Sequence, residues 1–117
     1  MKSETKTITL KFRVVNQDIF NTIKIGKKKV ETQAATERYR RIAVGDRIIL
    51  ICGKNRFEKQ VRKVQTFKTI AALLKKHSVK SINPAVKSVE ELRKLYYSFP
   101  GYREKIKKFG LIALEFK

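Results

Sequence analysis

Apolar residues recur along this chain with two different periods, and the places where the period changes mark its elements. From Thr5 to Val14 they alternate, with Ile8, Leu10, Phe12 and Val14 on one side and Thr7, Thr9, Lys11 and Arg13 on the other. A period of two predicts a half-buried strand. From Asn16 to Ile25 the spacing lengthens, and Ile19, Phe20 and Ile23 share one helical face behind Asn16, a residue type suited to capping. Gly26 then stands where a helix-ending glycine belongs. A second strand is expected next: if Lys29 to Gln33 is extended, Lys29, Glu31 and Gln33 face one way and Val30 and Thr32 the other, with Lys28 in the turn above them.

The apolar run Arg47 to Cys52 predicts a buried strand. Gly53-Lys54-Asn55 supplies turn chemistry, and Arg56 to Gln65, carrying Phe57, Val61 and Val64, reads as the returning strand of a hairpin. The alternation breaks at Arg62-Lys63, which predicts a bulge. Thr69 to His77 places Ile70, Leu73, Leu74 and His77 at helical spacing, and Ser88-Val89-Glu90-Glu91 is a capping box opening a helix with Val89, Leu92, Leu95, Tyr96 and Phe99. Pro100-Gly101 ends that helix. Tyr102 to Lys108 reads as a short basic connector to a last strand, Leu111 to Phe116. No repeat, linker or low-complexity stretch divides the chain, so residues 1–117 are expected to form one domain. The element order implies an α+β fold, a small β-barrel of about five to six strands with helices packed around it.

Charge narrows the partner class. With 29 Lys+Arg against 10 Asp+Glu, the net charge is +19 on 117 residues, which favours an anionic partner: nucleic acid, anionic lipid or acidic protein. At 42% hydrophobic the chain still has enough apolar side chains for a core. Its longest apolar runs, Ile48 to Cys52 and Leu111 to Leu114, are too short to cross a bilayer, so no membrane insertion and a cytoplasmic location are expected. The lone Cys52 excludes an intrachain disulfide and is expected as a buried structural thiol. With one Cys and one His, no zinc site of ordinary composition can be built, and neither metal nor cofactor is expected. His77 lies on an apolar stripe and is expected to be packed and hydrogen-bonded.

The segment Gly26-Lys27-Lys28-Lys29-Val30-Glu31-Thr32-Gln33 carries a resemblance. Gly26, Lys28 and Glu31 match three positions of the G-x-K-x-x-E-x-R pattern of the ASCH domain family, with Gln33 in the place of the arginine. Val44-Gly45-Asp46 before a strand, Asn83 to Glu91 opening the late helix and Lys108 to Phe116 closing the chain follow in the family's order. Over nearly its whole length the chain resembles this family, closest to small stand-alone archaeal and bacterial members. The resemblance implies a PUA-like β-barrel and RNA binding in a cleft beside the helix before the signature strand. A bacterial branch hydrolyses acetylated cytidine with a lysine at the position of Lys28, a threonine at that of Glu31 and a glutamate ahead of the late helix. Here Glu31 replaces the threonine, and Ala85 or a neighbour occupies the region of the second carboxylate.

Two functions are therefore weighed, beside a third in which the protein is a ribosome- or assembly-associated structural component whose charge merely neutralises ribosomal RNA. In the first, the protein binds RNA, single-stranded or structured: Lys27, Lys28, Lys29, Glu31 and Gln33 surround a polar pocket, Arg38, Arg40 and Arg41 grip phosphates, and Tyr39 and Tyr97 stack on bases. The bland alternatives are a solvated lysine cluster, an ion pair of Glu31 with Lys28 or Arg40, and a solvated basic loop. In the second, it is a small amidohydrolase on a modified nucleoside, with Lys28 activating the attack and Glu31 moving the proton. A monomer or weak homodimer is expected in either case.

Overall fold

The computed structural model describes residues 5–117. The first four residues of the expected domain lie outside them. A mixed five-stranded sheet runs in the order β1 (Thr7–Phe12), β3 (Arg47–Cys52), β4 (Asn55–Phe67), β5 (Leu111–Phe116), β2 (Val30–Ala34). Only β1 and β3 pair in parallel, in the register Thr7 with Arg47. The strand β4 is long enough to serve two neighbours: Asn55 to Gln60 pair with β3, and Val61 to Phe67 with β5. The register slips between Val61 and Lys63, as the broken alternation predicts. An extra residue there bends the strand and raises its twist, curling the sheet into a half-barrel.

Six α-helices lie among the described residues: α1 (Gln17–Lys24), α2 (Glu37–Arg40), α3 (Ile70–Leu74), α4 (Val79–Ile82), α5 (Val89–Ser98) and α6 (Tyr102–Phe109). They divide the core in two. On one face of the sheet, Phe20 and Ile23 of α1 pack against Leu10, Ile48, Leu50, Val61, Ile112 and Leu114. On the other, Ile70, Leu73, Ile82, Leu92 and Ile106 of α3 to α6 cover Val30, Leu111 and Ala113. The strand β5 is thus buried on both faces, which is why Leu111 to Leu114 is apolar without alternation.

Several expectations need correction. Val14 is 66% exposed, because the chain leaves the sheet after Phe12 and enters a 3-10 turn over Val14–Asn16. The Asn16 side chain makes no capping bond. Ser88 does cap α5, accepting from the Glu91 amide at 3.2 Å, but the Glu91 carboxylate reaches back to the Lys87 amide at 3.0 Å, and Val89 is exposed. The basic connector is a helix, α6, in which Tyr102, Ile106 and Phe109 recur at i, i+4 and i+7 beneath a dense coat of charge. His77 accepts or donates one hydrogen bond with Gln65 at 2.9 Å, its ring edge against Phe67, and Cys52 is buried.

The start of β1 is tied to the rest by Asp46, a buried carboxylate. It accepts from the amides of Lys6 at 3.0 Å and Ala43 at 2.8 Å and pairs with the Lys6 ammonium at 3.1 Å. Burial by itself would raise this carboxyl, but the two amides and the ammonium outweigh it and hold the pKa below the ordinary aspartate value. A carboxyl depressed in the folded state stabilises above its unfolded pKa of about 3.9, and that stabilisation is lost as pH falls through the folded value. Asp46→Asn is therefore expected to cost about 1–3 kcal/mol near neutral pH. The gap from wild type in urea titrations should narrow as the pH drops toward about 3; a gap independent of pH would show that the charge of Asp46 contributes nothing.

Candidate functional site

The edge strands β1 and β2 do not pair with each other, so the half-barrel has a gap between them. A cleft of about 680 Å³ occupies that gap. One wall is Thr9 to Arg13 of the β1 edge; the other is Lys28 with Glu31, Thr32 and Gln33 of β2; Tyr39, Tyr96, Phe99 and Tyr102 close it with aromatic surface.

Lys28 reaches this cleft because of the turn before it. At Gly26 the backbone has φ +84°, a left-handed conformation that side chains with a Cβ adopt at a cost. The chain doubles back, and the Lys28 amide donates to the Thr22 carbonyl of α1 at 3.0 Å. Lys28 is then 3% exposed and Glu31 7%, whereas Lys27 and Lys29 face solvent. A solvated cluster therefore describes the outer two lysines and not the middle one. The Lys28 ammonium donates to Glu31 Oε1 at 3.0 Å and to the Val30 carbonyl.

The chain of hydrogen bonds continues outward. Gln33 Nε2 donates to Glu31 Oε2 at 3.3 Å, and Gln33 Oε1 accepts from the Tyr102 hydroxyl at 2.5 Å. Thr32 and Tyr96 share a hydroxyl contact of 2.5 Å alongside. Burial pushes both tyrosine hydroxyls up from their ordinary value, and the Glu31 carboxylate acts in the same sense. They stay protonated at neutral pH, so Tyr102 is a fixed donor and orients the Gln33 amide with its nitrogen toward Glu31. With two bonds made, Lys28 keeps one N–H for a ligand, and Gln33 Nε2 keeps another. The pocket thus offers donors and carboxylate lone pairs within one small area, beneath aromatic walls. Its rim is cationic: Lys11, Arg13 and Arg38.

Of the residues singled out from the sequence, the cleft brings together Lys28, Glu31, Gln33, Arg38 and Tyr39. It does not gather the rest. Arg40 does not meet Glu31; its guanidinium donates to the carbonyls of Ala35 at 2.6 Å and Phe109 at 2.7 Å, pinning α2 to the end of α6. Arg41 lies away from the cleft. Tyr97 stands outside it with the Arg103 guanidinium over its ring at 4.6 Å. Phe99, expected to pack, is 38% exposed at the cleft edge against Tyr102. Sequence reasoning missed Lys11 and Arg13, which look like ordinary outward strand positions, and Tyr102, whose helical spacing with Ile106 was the available signal. Among the described residues no group of three or more His, Cys, Asp or Glu side chains could hold a metal ion, and no helix is long and apolar enough to cross a membrane.

No family model matches the chain, and no curated protein matches it. Among solved structures, the crystal structure of hypothetical protein PH0355 is similar over 97% of this chain and 98% of that one, at 31% identity and a TM-score of 0.79. The chain belongs to the PH0355 family. A second structure similar to this PH0355-family chain is the solution NMR structure of protein PF0455 from Pyrococcus furiosus, at 29% identity over 97% of this chain and 96% of that one, with a TM-score of 0.73. The half-barrel with its surrounding helices is therefore the architecture of the family, and the chain covers 96–98% of these two relatives.

Proposed function

We propose that this protein is an RNA-binding module of the ASCH, PUA-like kind, acting in the cytoplasm as a monomer or weak homodimer without a cofactor. It holds one unpaired base in the cleft while the rim holds backbone phosphates. One observation carries the reading: the cleft joins a chain of alternating donors and acceptors, buried at Lys28 and Glu31 and half-buried at Gln33 and Tyr102, to aromatic walls and a rim of Lys11, Arg13 and Arg38. Single-stranded RNA is recognised by that combination, with bases stacked on aromatic rings, base edges hydrogen-bonded and phosphates paired with cations.

The charged rim sets the expected salt response. Three rim cations, each contributing about 0.7 for a single strand, give a slope of log affinity against log salt of about −2. Fluorescence anisotropy with short single-stranded RNA between about 50 and 200 mM salt reads it. Binding that is absent, or flat with salt, would remove the reading.

A second reading keeps one observation in its favour. Lys28 is a nearly buried lysine beside a carboxylate, as an amidohydrolase on acetylated cytidine would use. Against it, Glu31 is the sole carboxylate lining the cleft among the described residues, and the wall just ahead of α5 presents the amide of Asn83. Release of acetate from acetylated cytidine above the buffer rate, lost in Lys28→Ala, would favour the enzyme over the binder.

A further inference from the structure

Beyond the cleft lies a second concavity of about 450 Å³, lined by Lys6, Thr7, Ile8, Arg38 and Arg41. Arg38 belongs to both, so the two hollows are neighbours along the β1 edge, with this side chain as the divide. We propose that this second hollow is a phosphate site for the nucleotide next to the one held in the cleft, so that the strand runs along the free edge of β1. The inference rests on the RNA reading and adds to it the path and a minimum of two nucleotides.

The backbone of β1 explains why an anion would follow this edge. Lys6 turns its amide to Asp46 and its carbonyl to the Arg47 amide, that is, toward β3. By the two-residue period of a strand, Thr7, Thr9 and Lys11 turn their backbone groups the other way, to the open side. On that side the Thr9 carbonyl accepts from Arg38 Nη2 at 3.0 Å, which fixes the guanidinium at the divide while leaving its other N–H groups to donate. The Arg41 side chain makes no hydrogen bond or ion pair among the described residues and is exposed beside it. Cations and outward amides at one edge suit an anion. An extended acidic peptide would need the whole row of outward groups for a ladder, and Arg38 already occupies the Thr9 carbonyl in its middle. The phosphate is the better match.

The test uses Arg41→Ala, which removes no side-chain hydrogen bond or ion pair among the described residues and is expected to leave the melting temperature unchanged. Its affinity for a single-stranded dinucleotide with a terminal phosphate should fall about fivefold at about 0.1 M salt, and its salt slope should be smaller by about 0.7 than that of wild type. A mononucleoside, which ends at the cleft, should bind both proteins equally. Removing the terminal phosphate to leave a hydroxyl should erase the difference between the two proteins. If the dinucleotide binds wild type and Arg41→Ala alike, the phosphate site is overturned while the RNA reading stands. If wild type binds no oligonucleotide, both fall together. An acidic peptide that binds at this edge in place of RNA would likewise overturn the inference.

Discussion

Replacing Glu31 by alanine is expected to destabilise the fold by about 3–5 kcal/mol, since removing one partner strands the other charge inside the protein. Lys28 is 3% exposed, and after the loss of Glu31 its ammonium keeps the Val30 carbonyl as its remaining acceptor. Gln33 loses its acceptor at the same time. From the sequence, both residues look replaceable at little cost to stability; burial reverses that expectation. The paired replacement Lys28→Met with Glu31→Leu is expected to recover most or all of the loss, because exchanging a buried ion pair for apolar side chains is often neutral or stabilising. Urea titration of the two variants, with RNA binding measured beside it, separates the roles. A double variant that is stable and does not bind marks the pair as a feature kept for its ligand. A double variant as unstable as Glu31→Ala would show instead that the pair holds the fold together.

Gly110→Ala is expected to cost about 2–6 kcal/mol, combining the strain of a rare backbone conformation with overpacking. Gly110 has φ +79°, and a Cβ there would lie 2.3 Å from the Phe67 carbonyl oxygen, well inside any real contact. The obstacle is backbone on both sides, so no rotamer change relieves it. This point also joins three elements. The Gly110 amide ends α6 on Ile106, its carbonyl accepts from Ala35 at the end of β2, and the neighbouring Phe109 carbonyl accepts from Arg40. A Tm drop of about 4 °C for each kcal/mol is the readout. An alanine variant as stable as wild type would mean that the β5 entrance shifts freely, contrary to its packing.

Much of the fold was legible because several elements carry signals that depend on neighbours in sequence. The alternation of β1 as far as Phe12, the Gly53-Lys54 hairpin, the break at Arg62-Lys63 and the Ser88 cap are all local, and each stands where the sequence places it. The helix α6 was hidden because its apolar spacing spans only three residues among Lys, Arg and Glu. The site was legible in part. Lys28, Glu31 and Gln33 were identified, but in a run of three lysines nothing local says which one is buried; that is decided by the turn at Gly26 and the packing around Glu31. Arg40 shows the same limit. Its engagement with Ala35 and Phe109 depends on where α6 ends, 69 residues later in the chain for Phe109.

Of the two strands that flank the cleft, β2 has the partner most remote in sequence, while β1 and β3 are closer in sequence than β4 and β5. Thr7 meets Arg47 and Val30 meets Glu115, whereas the β3–β4 hairpin closes across two residues. Loop-closure entropy grows with the length of chain enclosed, so the hairpin is the least costly pairing to close and the β2–β5 edge the most costly. The edges then share one further property: each is held by a single neighbouring strand. The cleft is thus bounded by the two strands with the fewest sheet partners, one of which also makes the most distant pairing in the sheet.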